Sequence, residues 1–359
     1  MTELFKTTKL IICAGTGGVG KTSMSASLGV LAAQEGLKTL VLTIDPAHRL
    51  AQALGLSKTS GEEVAVPDIS NLWAAMIDPR REFDEFVLGA VDKGIAKGLF
   101  ENRLYQQLVS NLNGSQEFTS LVKLVNVVRG EKYDLVILDT PPTQNAVDFL
   151  RAPERIYALF QDSVMGWFSD PSADEGWIKR TLHRGTKMVM SALESVTGSI
   201  FIAELKDFFS HISYLQKRIA TVSEQTSALM HDSKTGFILV TGFDEAKLKE
   251  ALEFQQDLAR EKLNLRAVIV NRWFPEWTSG ERLWPAEWDQ SPDFQELKRF
   301  HQMFANYFSK RQEAYEKFAA QLGKQVPVMK LPDFKNTVEG VADLKTVAAT
   351  LADKWSELK

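Results

Sequence analysis

Residues 15–22 read Gly-Thr-Gly-Gly-Val-Gly-Lys-Thr and fit the pattern G-x-x-x-x-G-K-[ST] of a phosphate-binding loop. The apolar run at residues 10–13 precedes this loop and predicts a short buried strand. Met24, Leu28 and Leu31 follow it at helical spacing. A strand, a glycine-rich loop and a helix form the context in which this pattern binds phosphate, so residues 10–31 predict a phosphate-binding site.

The pattern gives each part of the loop an expected role. Backbone N–H groups of the loop surround phosphate oxygens, and the start of the following helix adds partial positive charge. We expect Lys21 to reach the β- and γ-phosphates of a nucleoside triphosphate and the Thr22 hydroxyl to hold Mg²⁺. The predicted phosphate-binding residues are Gly15, Thr16, Gly17, Gly18, Val19, Gly20, Lys21 and Thr22.

Composition narrows the class of protein. The chain has 359 residues, 44% of them hydrophobic, and a formal net charge of −4, which argues against a nucleic-acid partner. Its single cysteine, Cys13, excludes an internal disulfide and any Cys-x-x-Cys metal site, so we expect no zinc. No apolar run reaches the roughly 18 residues of a membrane span, and we expect no signal peptide, because the apolar stretch near the N-terminus is short and leads straight into the phosphate loop. We therefore expect a cytoplasmic protein.

Further apolar runs predict the remaining strands of one sheet. These runs are apolar almost throughout, which is typical of parallel strands buried on both faces. They lie at residues 39–43, 72–77, 135–139, 236–240, 267–270 and 326–331. The predicted fold class is α/β, with a mostly parallel central sheet and helices on both of its faces.

The helical stretches at about residues 80–130 and 151–232 predict an inserted subdomain within a single phosphate-loop domain of residues 1–359. The second stretch is rich in Met, Phe and Trp. It forms either a helical layer with its own core or a groove for a hydrophobic protein partner. A C-terminal helix at 341–355 carries an apolar stripe that suits packing on the sheet better than a membrane anchor.

Two acidic residues follow predicted strands. Asp139 closes the run at 135–139, and an apolar strand that ends in Asp is the Walker B form, in which the carboxylate meets Mg²⁺ through water. Asp45 precedes Pro46 just after the strand at 39–43. It either caps the next helix or orients the attacking water at the carboxyl edge of the sheet, and the pattern leaves both open.

Asn271 follows the strand at 267–270. Its amide offers a donor and an acceptor, so it is a candidate for reading the adenine edge. The alternative is a turn-forming Asn after a strand.

Several stretches together resemble the arsenite-pump and tail-anchored-protein-targeting ATPases, which carry a deviant Walker A loop. The loop at 15–22, residues 44–48 (Ile-Asp-Pro-Ala-His) and residues 139–143 (Asp-Thr-Pro-Pro-Thr) match that family's loop, switch I and switch II. Residues 270–272 resemble its adenine-reading turn, and residues 331–332 resemble its adenine-side loop. The resemblance covers nearly the whole chain and is weak in the helical insert.

The resemblance implies a dimeric, Mg²⁺-dependent ATPase that opens and closes with its nucleotide state. It implies catalytic roles for Asp45, which orients the attacking water, and for Lys21. Thr22 and Asp139 would serve Mg²⁺, Ser23 would touch the α-phosphate, and Asn271 and Pro332 would frame adenine.

Four departures from the family are visible, and one of them is that switch II continues with Gln144-Asn145, where the family has Gly-His. The signature lysine after the first loop glycine, which reaches the partner's phosphates, is Thr16 here. The zinc-binding Cys-x-x-Cys and the arsenite-binding cysteines are both absent, since Cys13 stands alone. The departures make arsenite transport unexpected and require any dimer to form without zinc. Arg49 is a candidate replacement cation, and its alternative is an exposed helix residue.

Three functions remain open at this point. The first is an ATP-hydrolysing dimeric switch, slow in isolation, that binds a hydrophobic protein client through its helical subdomain. The second is a regulatory subunit that hydrolyses little ATP and pairs with a lysine-bearing paralogue, an option that Thr16 favours. The third is a partition or septum-placement ATPase, which the charge balance disfavours.

Overall fold

A computed structural model describes residues 1–44, 49–56, 61–106, 113–140, 151–152, 154–155, 199–274, 285, 288, 291–323, 326–334, 338 and 340–358. The chain divides into two compact units. The first contains residues Met1–Met76, Lys132–Ala146 and Ser233–Lys359, and the second contains Ile77–Glu131 and Val147–Asp232.

The first unit is built on a sheet with strand order β3-β4-β2-β5-β1-β6-β7-β8 in the described residues. The strands are β1 (Leu10–Ala14), β2 (Thr39–Thr43), β3 (Val64–Ala65), β4 (Leu72–Met76), β5 (Leu135–Asp139), β6 (Thr235–Gly242), β7 (Leu265–Trp273) and β8 (Val328–Pro332). All neighbouring strands run parallel except β3 and β4. This mostly parallel sheet confirms the predicted fold class.

Helices cover this sheet. They are α1 (Thr2–Thr7), α2 (Lys21–Gln34), α3 (Arg49–Ala53), α9 (Glu245–Arg260), α10 (Pro292–Leu322) and α11 (Val341–Ser356). Helix α2 packs so closely on β2 that a Cβ at Gly29 would lie 2.4 Å from Cγ2 of Val41. The apolar stripe of α11, which includes Leu344, Val347 and Leu351, is buried in the same core. Packing therefore fixes α2, and with it the loop that precedes α2, against the middle of the sheet.

The second unit is helical in its described residues. Its helices are α4 (Pro79–Leu88), α5 (Lys93–Glu101), α6 (Asn113–Arg129), α7 (Ser199–Ile212) and α8 (Gln216–Met230), with a 3₁₀ turn at Ser213–Leu215. Its core contains edge-to-face and tilted aromatic pairs among Phe83, Phe86 and Phe118. Ile200 and Tyr214 are exposed. Most of the Met-rich stretch lies outside the described residues, so its predicted groove stays a prediction.

The sequence pattern missed some elements. Strand β3 has two residues, which are too few to show periodicity, and α1 is a short N-terminal helix. The strand predicted at 326–331 begins instead at Val328. The helical stretch at 80–130 is divided into separate helices, and Asp78 and Asp92 each cap a new N-terminus.

A buried ion pair joins two helices of the second unit. Nζ of Lys123 on α6 lies 2.8 Å from Oε1 of Glu82 on α4, and the Glu82 side chain is only 4% exposed. Burial raises the pKa of Glu82 above its ordinary value, and the hydrogen bond from Lys123 opposes that rise. Loss of Lys123 would leave a carboxylate buried without this cation.

We expect Lys123→Met to lower the free energy of unfolding by about 3 kcal/mol at neutral pH. The loss should shrink as pH falls toward the ordinary Glu pKa, because protonated Glu82 carries no charge to desolvate. Urea unfolding at several pH values measures both effects.

The matched control is Arg81→Met. Arg81 Nε lies 2.9 Å from Oε1 of Glu85, but both side chains are exposed, so its loss should cost about 0.5 kcal/mol or less. Equal losses for the two variants would contradict a special role for the buried pair.

Candidate functional site

The glycine-rich loop connects β1 to α2 and lies against β6. Gly15 has φ +150°, and a Cβ there would lie 2.1 Å from the carbonyl oxygen of Val240. Gly20 has φ +92° and ends the loop at the N-cap of α2. These two positions require glycine, so the loop's glycine pattern follows from close packing and from its left-handed turn.

Lys21 closes the loop on itself. Its side chain is buried, and Nζ donates a hydrogen bond to the carbonyl oxygen of Thr16 (2.9 Å). Lys21 is also the first residue of α2, where backbone N–H groups are not used within the helix. The arrangement places a cation and a helix N-terminus at the same end of the sheet, which suits an anion.

Asp139 lies between two neighbouring strand ends. It is 1% exposed, and it pairs in register with Cys13 of β1 and Thr43 of β2. Oδ2 of Asp139 accepts hydrogen bonds from Thr22 Oγ1 (2.7 Å) and Thr43 Oγ1 (3.1 Å), and Oδ1 accepts one from Ser25 Oγ (3.4 Å). The two residues predicted to serve a metal are therefore in direct contact.

The chemistry of this contact fits Mg²⁺. The cation prefers hard oxygen ligands and keeps several waters, and Thr22 and Asp139 offer a hydroxyl and a carboxylate at the end of the phosphate loop. In the described part of the chain, no three side chains of His, Cys, Asp or Glu form a metal cluster. A metal at this position would be held by few protein ligands together with water and phosphate, as Mg²⁺ is in nucleotide sites.

A cavity of about 290 Å³ opens beside the loop. Its lining includes the loop and the first turn of α2, together with side chains from other parts of the first unit. The described lining residues are Gly18, Gly20, Lys21, Thr22, Ser23, Arg49, Gln52, Ala53, Thr140, Arg272 and Val338. Three of these are cationic and none is acidic, which favours an anionic ligand.

The predicted adenine residues lie at neighbouring strand ends. Asn271 is buried, and its Nδ2 donates to the carbonyl oxygen of Val19 (2.9 Å), while its Oδ1 accepts from the backbone N–H of Arg272 (2.9 Å). Pro332 is exposed and pairs in register with Trp273. The observed contacts of Asn271 hold the phosphate loop. Its role at adenine stays a prediction.

The structure describes only some of the remaining predicted site residues. Asp45 lies outside the described residues, as do the residues of switch II after Thr140. Arg49 lines the cavity. The sequence did not reveal that Gln52, Val338 and Arg272 line the cavity, because their positions depend on loop conformation. It also did not reveal the contact of Thr43 with Asp139, because that contact depends on strand register.

Cys13 is buried beside this site. Burial raises the pKa of its thiol to about 12. A thiol with that pKa stays protonated at neutral pH and is a poor ligand for soft metalloids.

Comparison with known proteins identifies the family. A family model described as anion-transporting ATPase matches residues 8–353. The chain belongs to this family. Similar relatives include "ATPase ASNA1 homolog 2" of Paramecium tetraurelia (28% identical, covering 74% of this chain and 75% of the relative) and "ATPase GET3" of Malassezia globosa (28%, 74% and 73%). "Putative arsenical pump-driving ATPase 1" of Aquifex aeolicus is 25% identical over 95% of this chain and 78% of its own.

Membership of the family makes this protein an ATPase, which hydrolyses ATP to ADP and phosphate. ATP is therefore the nucleotide that we expect at the glycine-rich loop. Among the described residues, no helix is both long and apolar enough to cross a membrane.

We expect Asn271→Ala to weaken the binding of both ATP and GTP, with the larger loss for ATP. The substitution removes the hydrogen bond that holds Val19, which affects both nucleotides, and it also removes the amide that we expect at the adenine edge. Titration with fluorescent analogues of the two nucleotides measures both losses. Equal losses for ATP and GTP would show that Asn271 acts only through the phosphate loop.

Proposed function

We propose that this protein is a Mg²⁺-dependent, ATP-hydrolysing switch that works as a dimer and binds a hydrophobic protein client through its helical unit. The contact between Thr22 and Asp139 carries the catalytic part of the proposal. It joins the end of the phosphate loop to the acid of the Walker B strand, the two positions from which P-loop ATPases hold Mg²⁺.

Lys21 and Asp45 are the proposed catalytic residues. Lys21 is positioned at the start of α2, from which its ammonium would exchange the Thr16 carbonyl for the β- and γ-phosphates of ATP. Asp45 follows β2, whose last residue, Thr43, donates to Asp139. We propose that Asp45 orients the attacking water. Thr22 and Asp139 would hold Mg²⁺, which would supply positive charge at the phosphates.

Nucleotide contacts complete the proposed site. The loop residues from Gly15 to Thr22 would surround the phosphates, and Ser23, which lines the cavity, would touch the α-phosphate. Asn271 and Pro332 would frame the base, since they lie near the ends of the neighbouring strands β7 and β8.

The client part of the proposal rests on the helical unit. Its described core buries a cluster of apolar side chains, but Leu88, Ile200 and Tyr214 are large apolar side chains with 52%, 74% and 59% exposure. The name "Putative arsenical pump-driving ATPase 1" describes a relative that drives a pump, which supports a partner protein here. A plain helical layer without client is the competing interpretation.

The second candidate function is a regulatory subunit that pairs with a lysine-bearing paralogue. Thr16 favours this alternative, because its short neutral side chain cannot reach phosphates bound by another subunit. Arg49 favours a self-sufficient homodimer instead, because it brings a cation to the cavity within the same chain.

Turnover of the purified chain should be slow and should rise on Thr16→Lys. A cation supplied across a dimer can be worth roughly 10³–10⁵ in rate, so an increase of about tenfold or more is expected even with imperfect geometry. Phosphate release under saturating Mg²⁺ and ATP measures it. Thr16→Gln, which has comparable reach without charge, is the matched control and should change little.

The alternatives give different results in the same assay. A homodimer that uses Arg49 should have substantial wild-type turnover that falls on Arg49→Ala. A regulatory subunit should stay nearly inactive alone and should raise turnover only with a lysine-bearing partner. Rapid wild-type turnover that neither Thr16→Lys nor Arg49→Ala alters would contradict the need for either cation.

A further inference from the structure

Arg272 has an unusual backbone conformation at the edge of the cavity. It follows Asn271 near the end of β7, and its φ is +57°. A residue with a Cβ rarely adopts this left-handed conformation, which favours glycine. Such a residue persists only where its surroundings impose the conformation, and these residues cluster at functional sites.

The surroundings that impose it also touch the phosphate loop. Oδ1 of Asn271 accepts the backbone N–H of Arg272 (2.9 Å), and Nδ2 of the same amide donates to the Val19 carbonyl (2.9 Å). One buried side chain therefore fixes both the backbone of Arg272 and the loop. A shift of the loop at Val19 would therefore change the position of the Asn271 amide and, through it, the backbone of Arg272.

Arg272 belongs to the lining of the cavity. The residue is exposed, and it lines the cavity together with Lys21, Thr22 and Ser23 from the loop and the first turn of α2. Its guanidinium forms no ion pair or hydrogen bond with the other residues that the structure describes. Guanidinium groups bind phosphate oxygens in a planar, two-pronged geometry, and Arg272 lines the same cavity as the loop that would carry those phosphates.

We infer that Arg272 is a phosphate-contacting residue that binds the α- and β-phosphates of a nucleotide held by its own subunit. The inference rests on the proposed function, in which the cavity beside the loop holds that nucleotide. The loop backbone cradles the α- and β-phosphates, and Arg272 is tied to that loop through Asn271. The contact exists with ADP and ATP alike, so Arg272 contributes to binding and not to the hydrolysis step.

The test compares two glycine substitutions at the same backbone conformation. Arg272→Gly removes the guanidinium and suits φ +57°, so the fold should be retained or stabilised. The matched control is Lys262→Gly: Lys262 also has φ +57°, is basic and exposed, and lies just after α9, away from the described lining of the cavity. Calorimetric titration with ADP and with ATP, and thermal unfolding, are measured for both variants.

Arg272→Gly should raise the Kd of ADP and of ATP by a similar factor of about ten, with an unchanged or higher melting temperature. Lys262→Gly should leave both Kd values unchanged. The loss in Arg272→Gly should shrink at high salt, because the contact is between charges. Arg272→Lys, which keeps the charge without the two-pronged geometry, should fall between wild type and Arg272→Gly.

Lys21→Ala separates failure of this inference from failure of the proposed site. If Lys21→Ala weakens nucleotide binding and Arg272→Gly does not, the role of Arg272 is overturned. An effect of Arg272→Gly on ATP alone, or one that salt leaves unchanged, also overturns it. If Lys21→Ala leaves both affinities unchanged, the nucleotide site itself is wrong. Should Arg272→Gly fold poorly, the neutral Arg272→Gln decides the same question.

Discussion

The buried carboxylate of Asp139 is the group on which the organisation of this site depends. It lies in register between β1 and β2, and it accepts hydroxyl hydrogen bonds from Thr22 and Thr43. A carboxylate at 1% exposure must be hydrogen-bonded or paired to be tolerated. The requirement ties the start of α2 to the ends of two strands, so that the phosphate loop and the proposed Mg²⁺ position are fixed together.

A second constraint acts from the other side of the loop. Asn271 uses both ends of its amide, one on the Val19 carbonyl and one on the backbone of Arg272. The loop is thus held at its end by Thr22 and near its middle by Val19. Both contacts come from strand ends that parallel topology brings to one edge of the sheet, which is where open α/β folds bind their ligands. The same few hydrogen bonds therefore hold the loop against the sheet and position the polar groups of the candidate site.

The sequence predicts much of this fold and less of the site. Continuous apolar runs and the glycine-rich loop predict the parallel sheet, and the structure confirms it, while the short strand β3 leaves no periodic signal. The contact of Thr43 with Asp139 depends on strand register. The Asn271 amide that accepts the backbone N–H of Arg272 is itself held by the carbonyl of Val19, which is distant in the sequence, so local sequence cannot reveal this arrangement. The roles of Asp45 and Pro332 stay predictions.

The most direct test of the account measures how Mg²⁺ changes ATP binding in Asp139→Asn. In the wild type, Mg²⁺ should strengthen ATP binding and support turnover. Asp139→Asn should bind free ATP as the wild type does but lose most of the Mg²⁺ effect, because the amide keeps the shape and lacks the charge. Thr43→Val, which removes a hydrogen bond to Asp139 and no proposed ligand, should keep the effect. An unchanged Mg²⁺ effect in Asp139→Asn would contradict the account.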